Sequence, residues 1–484
     1  MNRMAMHIYM NLINGKQVGA LNGRVLDMIN PCDGKAFATI PDSDEADIDV
    51  AVKAAQSALD GEWGRMAPVE RSRILHRWAQ LIENHFDELS ELESLDTGKP
   101  ITAGRADITA TARYFEFYAG AADKLHGQVI PYLDGYSVNV HRVPYGVTAH
   151  IIPWNYPAQQ YGRSVAPALA VGNAAVVKPS EDACLSTLKI SELGMEAGLP
   201  AGALNVVTGL GDQAGAALAN HVGINFMSFT GSPRVGTLVQ QATANNHVGC
   251  TLELGGKSPQ LIFNDADLDK ALPVVVKAII QHAGQTCSAG SRILVQKDIY
   301  EEFMAQVAVR FKEVTVGTPE MDVDCGPVMN KKQQTLVNDF RQTAIGSGIE
   351  LLAQGSFEAG LDQNGFWVQP ALFGKVPRDH QLACEEVFGP VLSAIPFADE
   401  DDAVQVANQT DYGLVGSIWT RDGDRQQRVA KRMQCGQVFI NNYGAGGGVE
   451  LPFGGMKKSG HGREKGFVAL EHFTTTKTIV HYHE

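Results

Sequence analysis

The sequence predicts an α/β protein with a doubly wound parallel sheet, followed by a second α/β domain. Three observations predict it. Short apolar runs of strand length alternate with helical patterns, as in a parallel sheet covered on both faces. Glycine supplies 50 of 484 residues, above the usual ~7%, and the glycines fall between the apolar runs at no fixed period. At ~150 residues per domain the length points to about three domains, enough to bury a large core without staples.

The elements follow in chain order. Segments 43–59 and 67–96 read as amphipathic helices, with Pro68 at a first-turn position of the second. Segment 136–142 alternates Tyr, Val and Val with Ser, Asn and His, the pattern of a half-exposed strand. Strand 147–152 stops at Pro153, and helix 157–169 follows. Strand 174–177 ends at Lys178 and leads to helix 185–197. Strand 225–229 ends at Thr230-Gly231. Region 146–253 therefore reads as a doubly wound domain of the nucleotide-binding type. The pattern restarts with helix 267–283, strand 292–296 and helix 299–314. Segment 474–481 is a β-prone tail with little local partner, so it is expected to pair with another segment or another subunit.

Composition sets bounds on function. Hydrophobic residues are 44% and charged residues 19%, which excludes disordered and collagen-like classes. The net charge of −14 argues against nucleic acid and anionic lipid as partners. Seven cysteines at 32, 184, 250, 287, 325, 384 and 435, with no CxxC, fit free thiols in a reducing compartment. No His/Cys cluster has zinc spacing, so no metal is expected. Residues 1–14 lack a clear signal-peptide core. Prolines interrupt the uncharged stretch 143–162, so no membrane span is expected, and the expected location is cytoplasmic.

Five segments carry possible chemistry. In Phe229-Thr230-Gly231-Ser232-Pro233 with Gly236, a strand ends where a helix begins, a place that favours a phosphate. The Gly209-Leu210-Gly211 turn with Gly215 is a weaker alternative. Lys178-Pro179-Ser180-Glu181 ends a strand, where a doubly wound sheet binds its ligand. Glu181 there could accept ribose hydroxyls and repel a 2′-phosphate; the plain alternative is a helix cap built on Ser180. Cys287, in Gly284-Gln285-Thr286-Cys287, lies among small residues that leave its sulfur open to act as a nucleophile. Glu253 stands between leucines before Gly255-Gly256-Lys257. Partial desolvation would raise its pKa towards the range of a general base, unless Lys257 neutralises it. Asn155, at a strand-to-helix junction, could point its amide into a cleft as an oxyanion donor.

Together these segments resemble the aldehyde dehydrogenase superfamily, of the NAD(P)-dependent hydrolytic type. The motifs occur in family order: Pro153-Trp154-Asn155-Tyr156-Pro157, Lys178-Pro179-Ser180-Glu181, Phe229-Thr230-Gly231-Ser232 with Gly236, Glu253-Leu254-Gly255-Gly256-Lys257, and Gly284-Gln285-Thr286-Cys287. Glu385-Glu386-Val387-Phe388-Gly389-Pro390, Pro452-Phe453-Gly454-Gly455, Ser459-Gly460 and Gly462-Arg463-Glu464 follow. The resemblance implies a cofactor domain (1–123 and 146–253), a catalytic domain (254–452) and an oligomerisation element (124–145 and 453–484). The tail would then pair across subunits of a homodimer or homotetramer.

The resemblance also implies roles. Cys287 would be the nucleophile and Glu253 the base. Asn155 and the Cys287 N–H would form the oxyanion hole. NAD, rather than NADP, would contact Ile152, Trp154, Lys178, Ser180, Glu181, Gly231, Ser232, Gly236, Leu254, Gly255, Glu386 and Phe388. Glu253 favours hydrolysis over acyl transfer to CoA. The partner is a small-molecule aldehyde.

Tyr156, Gln160 and Arg163 share a helix face if Pro157 opens a helix. With Phe453 they would line the substrate channel. Arg163 wants an anion or polar acceptor; unless it salt-bridges a neighbouring helix, the expected aldehyde has a polar end: a semialdehyde carboxylate or a substituted aromatic aldehyde. The glycine-rich segment 443–448 would give a roomy channel mouth. Competing readings are an acylating or NADP-preferring enzyme, a non-catalytic protein on the same scaffold, and a thiol redox sensor.

Overall fold

The structure is a computed structural model that describes residues 7–444 and 447–484. Its first layer is an eight-stranded sheet. In space the strands run Gly460–His461, Gly249–Glu253, Phe226–Thr230, Val147–Ile152, Ala174–Pro179, Leu204–Val206, Asn11–Ile13 and Lys16–Val18. The five middle strands are parallel, and antiparallel strands close both edges. Helices cover both faces, so the middle strands are buried on both sides and read as near-continuous apolar runs. The helices Pro157–Ala170 and Leu185–Glu196 match expectation to within a residue. The helix expected over 67–96 is two, Pro68–Asn84 and Phe86–Thr97, with a break at His85.

A second sheet of seven strands follows, ordered Glu350–Gln354, Ala371–Gly374, Val391–Phe397, Arg292–Gln296, Pro259–Ile262, Val415–Trp419 and Gln437–Ile440. All its pairs are parallel except the first. The helix expected over 267–283 ends at Ile280. Beyond it His282, Ala283 and Gly284 take φ of 47°, 52° and 71°. The first two are non-glycine residues in the left-handed region, each at a cost of about 1–2 kcal/mol. This turn throws the chain out of the helix and into the cleft between the two sheets.

The tail pairs with another segment of the chain, one of the two partners expected for it. Strand Thr474–Tyr482 runs antiparallel along its whole length with Tyr136–Pro144. With Gln128–Val129 these strands form a three-stranded ribbon. The element expected at 453–484 is divided. Gly460–His461 belongs to the first sheet, and Ala469 and Leu470 of helix Val468–His472 sit in that sheet's core. Among the described residues no helix is long and apolar enough to cross a membrane.

Candidate active site

The site forms where strand ends of the first sheet face the turn leaving helix Leu268–Ile280. Strand Val147–Ile152 delivers Asn155, and Pro157 at the first helical position starts the next helix. The Asn155 amide is held on both sides. Its Nδ2 donates to the Gln285 carbonyl at 2.9 Å, and its Oδ1 accepts from Gln160 Nε2 at 2.9 Å. One Nδ2 proton is left for a ligand. The backbone carbonyl of Asn155 accepts from Lys99 Nζ at 3.1 Å.

Cys287 lies in an apolar pocket with Leu414, Phe439, Tyr443 and Phe453. Hydrogen bonds anchor its loop. Met329 N donates to Gln285 Oε1 at 2.8 Å, the Tyr156 and Thr286 hydroxyls meet at 2.7 Å, and Tyr443 Oη donates to the Ser288 carbonyl at 2.5 Å. Burial pushes the Cys287 thiol up to about 12; Arg163 pulls the other way, and Glu386 and Glu253 raise it further. The resting thiol is therefore protonated and needs a base.

Glu253 ends strand Gly249–Glu253, opposite Thr230 on one side and Gly460 on the other. Its carbonyl accepts from Gly231 N at 3.0 Å. Its carboxyl is buried, and neither oxygen has a hydrogen-bond partner among the described residues. Burial first, and Glu464 second, hold it well above the usual carboxylate range, against Arg163, Arg463 and Lys465. That suits a group that takes protons near neutrality. Lys257 does not neutralise it: its own Nζ is buried without a hydrogen-bond partner. The segment after Glu253 meets the Cys287 loop at Gly256, where a Cβ would sit 2.3 Å from the Cys287 carbonyl oxygen. Only glycine allows that approach.

Two expected substrate residues are corrected. Arg163 is already neutralised. Its Nε approaches Glu464 Oε2 at 2.5 Å, without the alignment of a hydrogen bond, and its Nη2 donates to Thr230 Oγ1 at 3.0 Å. The guanidinium also lies 5.3 Å from the Phe453 ring centroid. Gln160 turns back on Asn155, as described above. Tyr156, Gln160 and Arg163 do share one side of the helix, but Gln160 and Arg163 hold protein groups there. Glu464 in turn accepts from Ser228 Oγ at 2.7 Å. That hydroxyl is linked through Ser164 to His150, whose pKa burial drives down to about 3. Of the expected channel mouth, Ala445 and Gly446 lie outside the described residues.

The residues expected to hold the cofactor lie at or just past the ends of first-sheet strands, except Glu386 and Phe388, which precede the second-sheet strand Val391–Phe397. Lys178 Nζ pairs with Glu181 Oε2 at 2.6 Å, and Gly211 N donates to Glu181 Oε1 at 3.1 Å. The glycine turn placed second in the sequence reading thus packs against Glu181. Each carboxylate oxygen keeps a lone pair that a diol could use. Ser180 accepts from Asp182 N at 3.2 Å and caps no helix, because the next helix begins only at Leu185. Ser232 caps helix Pro233–Asn245. A Cβ on Gly236 would lie 2.6 Å from Leu254, so glycine brings helix and strand end together. Trp154 meets Phe388 edge-on with ring centroids 5.4 Å apart. Ile152 and Pro179 end adjacent strands. Glu386 Oε1 accepts from Gly256 N at 2.8 Å, and its other oxygen faces Gly255. Burial pushes Glu386 up to about 7.

Lys99, Glu464, Gln285 and Thr286 hold the site together, yet the sequence reading gave them no role. Glu464 and Gln285-Thr286 lay inside quoted motifs, so a signal existed for them. Lys99 had none.

Comparison with known proteins finds relatives over nearly the whole chain. The model of the Aldehyde dehydrogenase family matches residues 19–479. A Burkholderia cenocepacia protein solved as a candidate aldehyde dehydrogenase shares 56% identity at a TM-score of 0.97, over 98% of this chain and 100% of that one. Betaine aldehyde dehydrogenase from Staphylococcus aureus, solved in complex with NAD+, shares 34% at a TM-score of 0.95, over 98% and 94%. Human retinal dehydrogenase 2 is 40% identical over 472 residues, 96% of this chain and 90% of its own length. The chain belongs to the aldehyde dehydrogenase family.

Proposed function

We propose that this protein oxidises an aldehyde to a carboxylic acid with NAD, through Cys287, Glu253 and Asn155. The observation that carries the reading is the gathering of a half-buried thiol, a buried carboxyl with no hydrogen-bond partner among the described residues, and a clamped amide with one spare proton. Glu253 takes the Cys287 proton, and the sulfur bonds to the aldehyde carbon. The carbonyl oxygen becomes an oxyanion held by Asn155 Nδ2 and the Cys287 N–H. Losing one such donor costs on the order of 10²–10³ in rate. When bound, NAD supplies the acceptor for the hydride that leaves the carbon, so the carbonyl re-forms as a Cys287 thioester. Glu253 passes the thiol proton to solvent and, ionised again, takes a proton from water. The resulting hydroxide attacks the thioester, the C–S bond breaks, and the acid leaves with the thiolate restored.

Glu181 and Lys178 would hold the adenosine ribose, with Gly231, Ser232 and Gly236 at the pyrophosphate turn. Glu386 and Phe388 would hold the nicotinamide end. The pairing of Arg163 with Glu464 removes the cation that favoured a carboxylate-bearing substrate. The walls at Phe439, Tyr443 and Phe453 support an aldehyde with a flat, apolar body, such as an aromatic aldehyde. The exposed ribbon, with Val129, Tyr132, Leu133, Val480 and Tyr482 on its surface, supports a homo-oligomer.

NADH formation at 340 nm tests the reading, with benzaldehyde, succinic semialdehyde and propanal as substrates. Turnover that disappears in Cys287→Ala and favours benzaldehyde supports it. Turnover retained in Cys287→Ala refutes the mechanism, and preference for succinic semialdehyde refutes the substrate class.

A further inference from the structure

Lys99 is fully buried, yet no step of the reaction above uses it. Its backbone is fixed from both sides. Gly98 takes φ 76°, where a Cβ would lie 2.6 Å from Pro327, and Pro100 precedes helix Ile101–Ala121. The side chain points inward, and its three N–H groups meet three oxygens. These are Glu93 Oε1 at 3.0 Å, Asp107 Oδ2 at 2.5 Å and the Asn155 carbonyl at 3.1 Å. The ammonium also stands 4.5 Å from the centroid of the Tyr156 ring.

Burying such a cluster is costly, several kcal/mol per ion, and well-packed apolar residues often serve stability as well or better. The cluster's direction indicates another use. The acids that hold Lys99 come from the helices on either side of it, Phe86–Thr97 and Ile101–Ala121. Ser186 braces Glu93 at 2.5 Å. What the ammonium itself grips is the Asn155–Tyr156 junction: a carbonyl on one side and a ring on the other. From that junction Asn155 Nδ2 reaches Gln285, and the Tyr156 hydroxyl reaches Thr286. Those are the two residues before Cys287. The acids more than offset the lowering that burial alone would impose on Lys99, so the grip stays charged.

We propose that Lys99 is a positioning residue for the oxyanion hole, its ammonium locking the Asn155–Tyr156 junction so that the Asn155 amide and the Cys287 loop keep one geometry. The proposal rests on the reading of Asn155 as an oxyanion donor. A misplacement of about 1 Å in such a group can cost ~10²-fold in rate.

The test is a mutant cycle on the full-length enzyme with NAD and benzaldehyde. Lys99→Met is combined with Glu93→Gln and Asp107→Asn, which removes the ionic cluster as a unit and keeps an acceptor for Ser186. The expected kcat falls about 100-fold, while NADH affinity stays within about threefold. Introduced on an Asn155→Ala background, the same set of changes lowers kcat by less than about threefold, because the donor that Lys99 positions is already gone. Equal losses on both backgrounds, or a kcat within about threefold of wild type, overturn the proposal. If Asn155→Ala alone leaves kcat unchanged, it is the oxyanion reading that fails. Should the triple variant not fold, Asp107→Asn alone keeps the Lys99–Glu93 pair. Its expected loss is about 5–10-fold, again vanishing on the Asn155→Ala background, and equal losses on both backgrounds overturn the proposal in the same way.

Discussion

Arg163→Met separates a cation that serves the protein from one that serves the substrate. The two charged side chains of the Arg163–Glu464 pair are 8% and 2% exposed. Removing the guanidinium leaves Glu464 with the Ser228 hydroxyl as a hydrogen-bond partner and, among the described residues, no ion pair. Breaking a buried pair from one side costs about 3–5 kcal/mol, because the remaining charge is uncompensated. The Thr230 bond adds about 1 kcal/mol. The expected loss of unfolding free energy is thus about 4–6 kcal/mol, read from the urea midpoint and slope at pH 7. Arg163→Met/Glu464→Gln should recover at least ~2 kcal/mol, since the amide still accepts from Ser228 and carries no charge. The KM ratio between succinic semialdehyde and benzaldehyde should not move. A stability loss under about 1 kcal/mol, with a KM rise confined to the acidic aldehyde, would refute the reasoning.

Three further outcomes follow from the geometry. Burial raises Glu253, so it becomes an ionised base only above the usual carboxylate range; kcat should climb with pH through that raised value, and a flat profile from pH 5 to 9 would contradict it. Gly256→Ala places a methyl 2.3 Å from the Cys287 backbone oxygen, so kcat should drop on the order of 10²-fold while helical circular dichroism persists; near-normal turnover would show that the loop can yield. Burial lifts Asp96 to about 8, and Cys184 N and Leu185 N both donate to it at 2.8 Å. The native state therefore binds the Asp96 proton more tightly than the unfolded chain, whose carboxyl titrates near 3.9. Its contribution to stability weakens as pH rises from about 4 to 8. Relative to Asp96→Asn, the wild type should lose melting temperature between pH 5.5 and 8; a constant difference would show the shift to be absent.

Local signals carried far, but only within an element. The strands 147–152 and 292–296 were legible to the residue, because apolar runs stop there against proline or a polar turn. Cys287, Glu253 and Asn155 each stand in a motif that is weak alone, and it is the family order of those motifs that singles them out. The break at His85 was not legible, since helical periodicity runs on through it. Helix spacing put Gln160 and Arg163 on one side correctly, but it could not name the partner of Arg163, which comes from the far end of the chain. The tail was legible as a strand, and its mate was not, because pairing depends on tertiary topology rather than local pattern. Lys99 was invisible for a statistical reason: a lysine is almost never fully buried, so the sequence offers no reason to look for it inside.

The short strand Gly460–His461 sets an order of assembly. It pairs against Gly249–Glu253 and closes the sheet edge that bears Glu253. Glu464, four residues further on, supplies the counter-charge for Arg163. A ribosome makes both of these after the whole second domain. Until then the strand carrying Glu253 is an open edge, able to pair with other chains, and Arg163 lacks its Glu464 partner. The site is therefore among the last parts of the fold to close. A nascent chain halted before residue 460 would hold Cys287, Glu253 and Asn155 and still lack the strand that pairs beside Glu253.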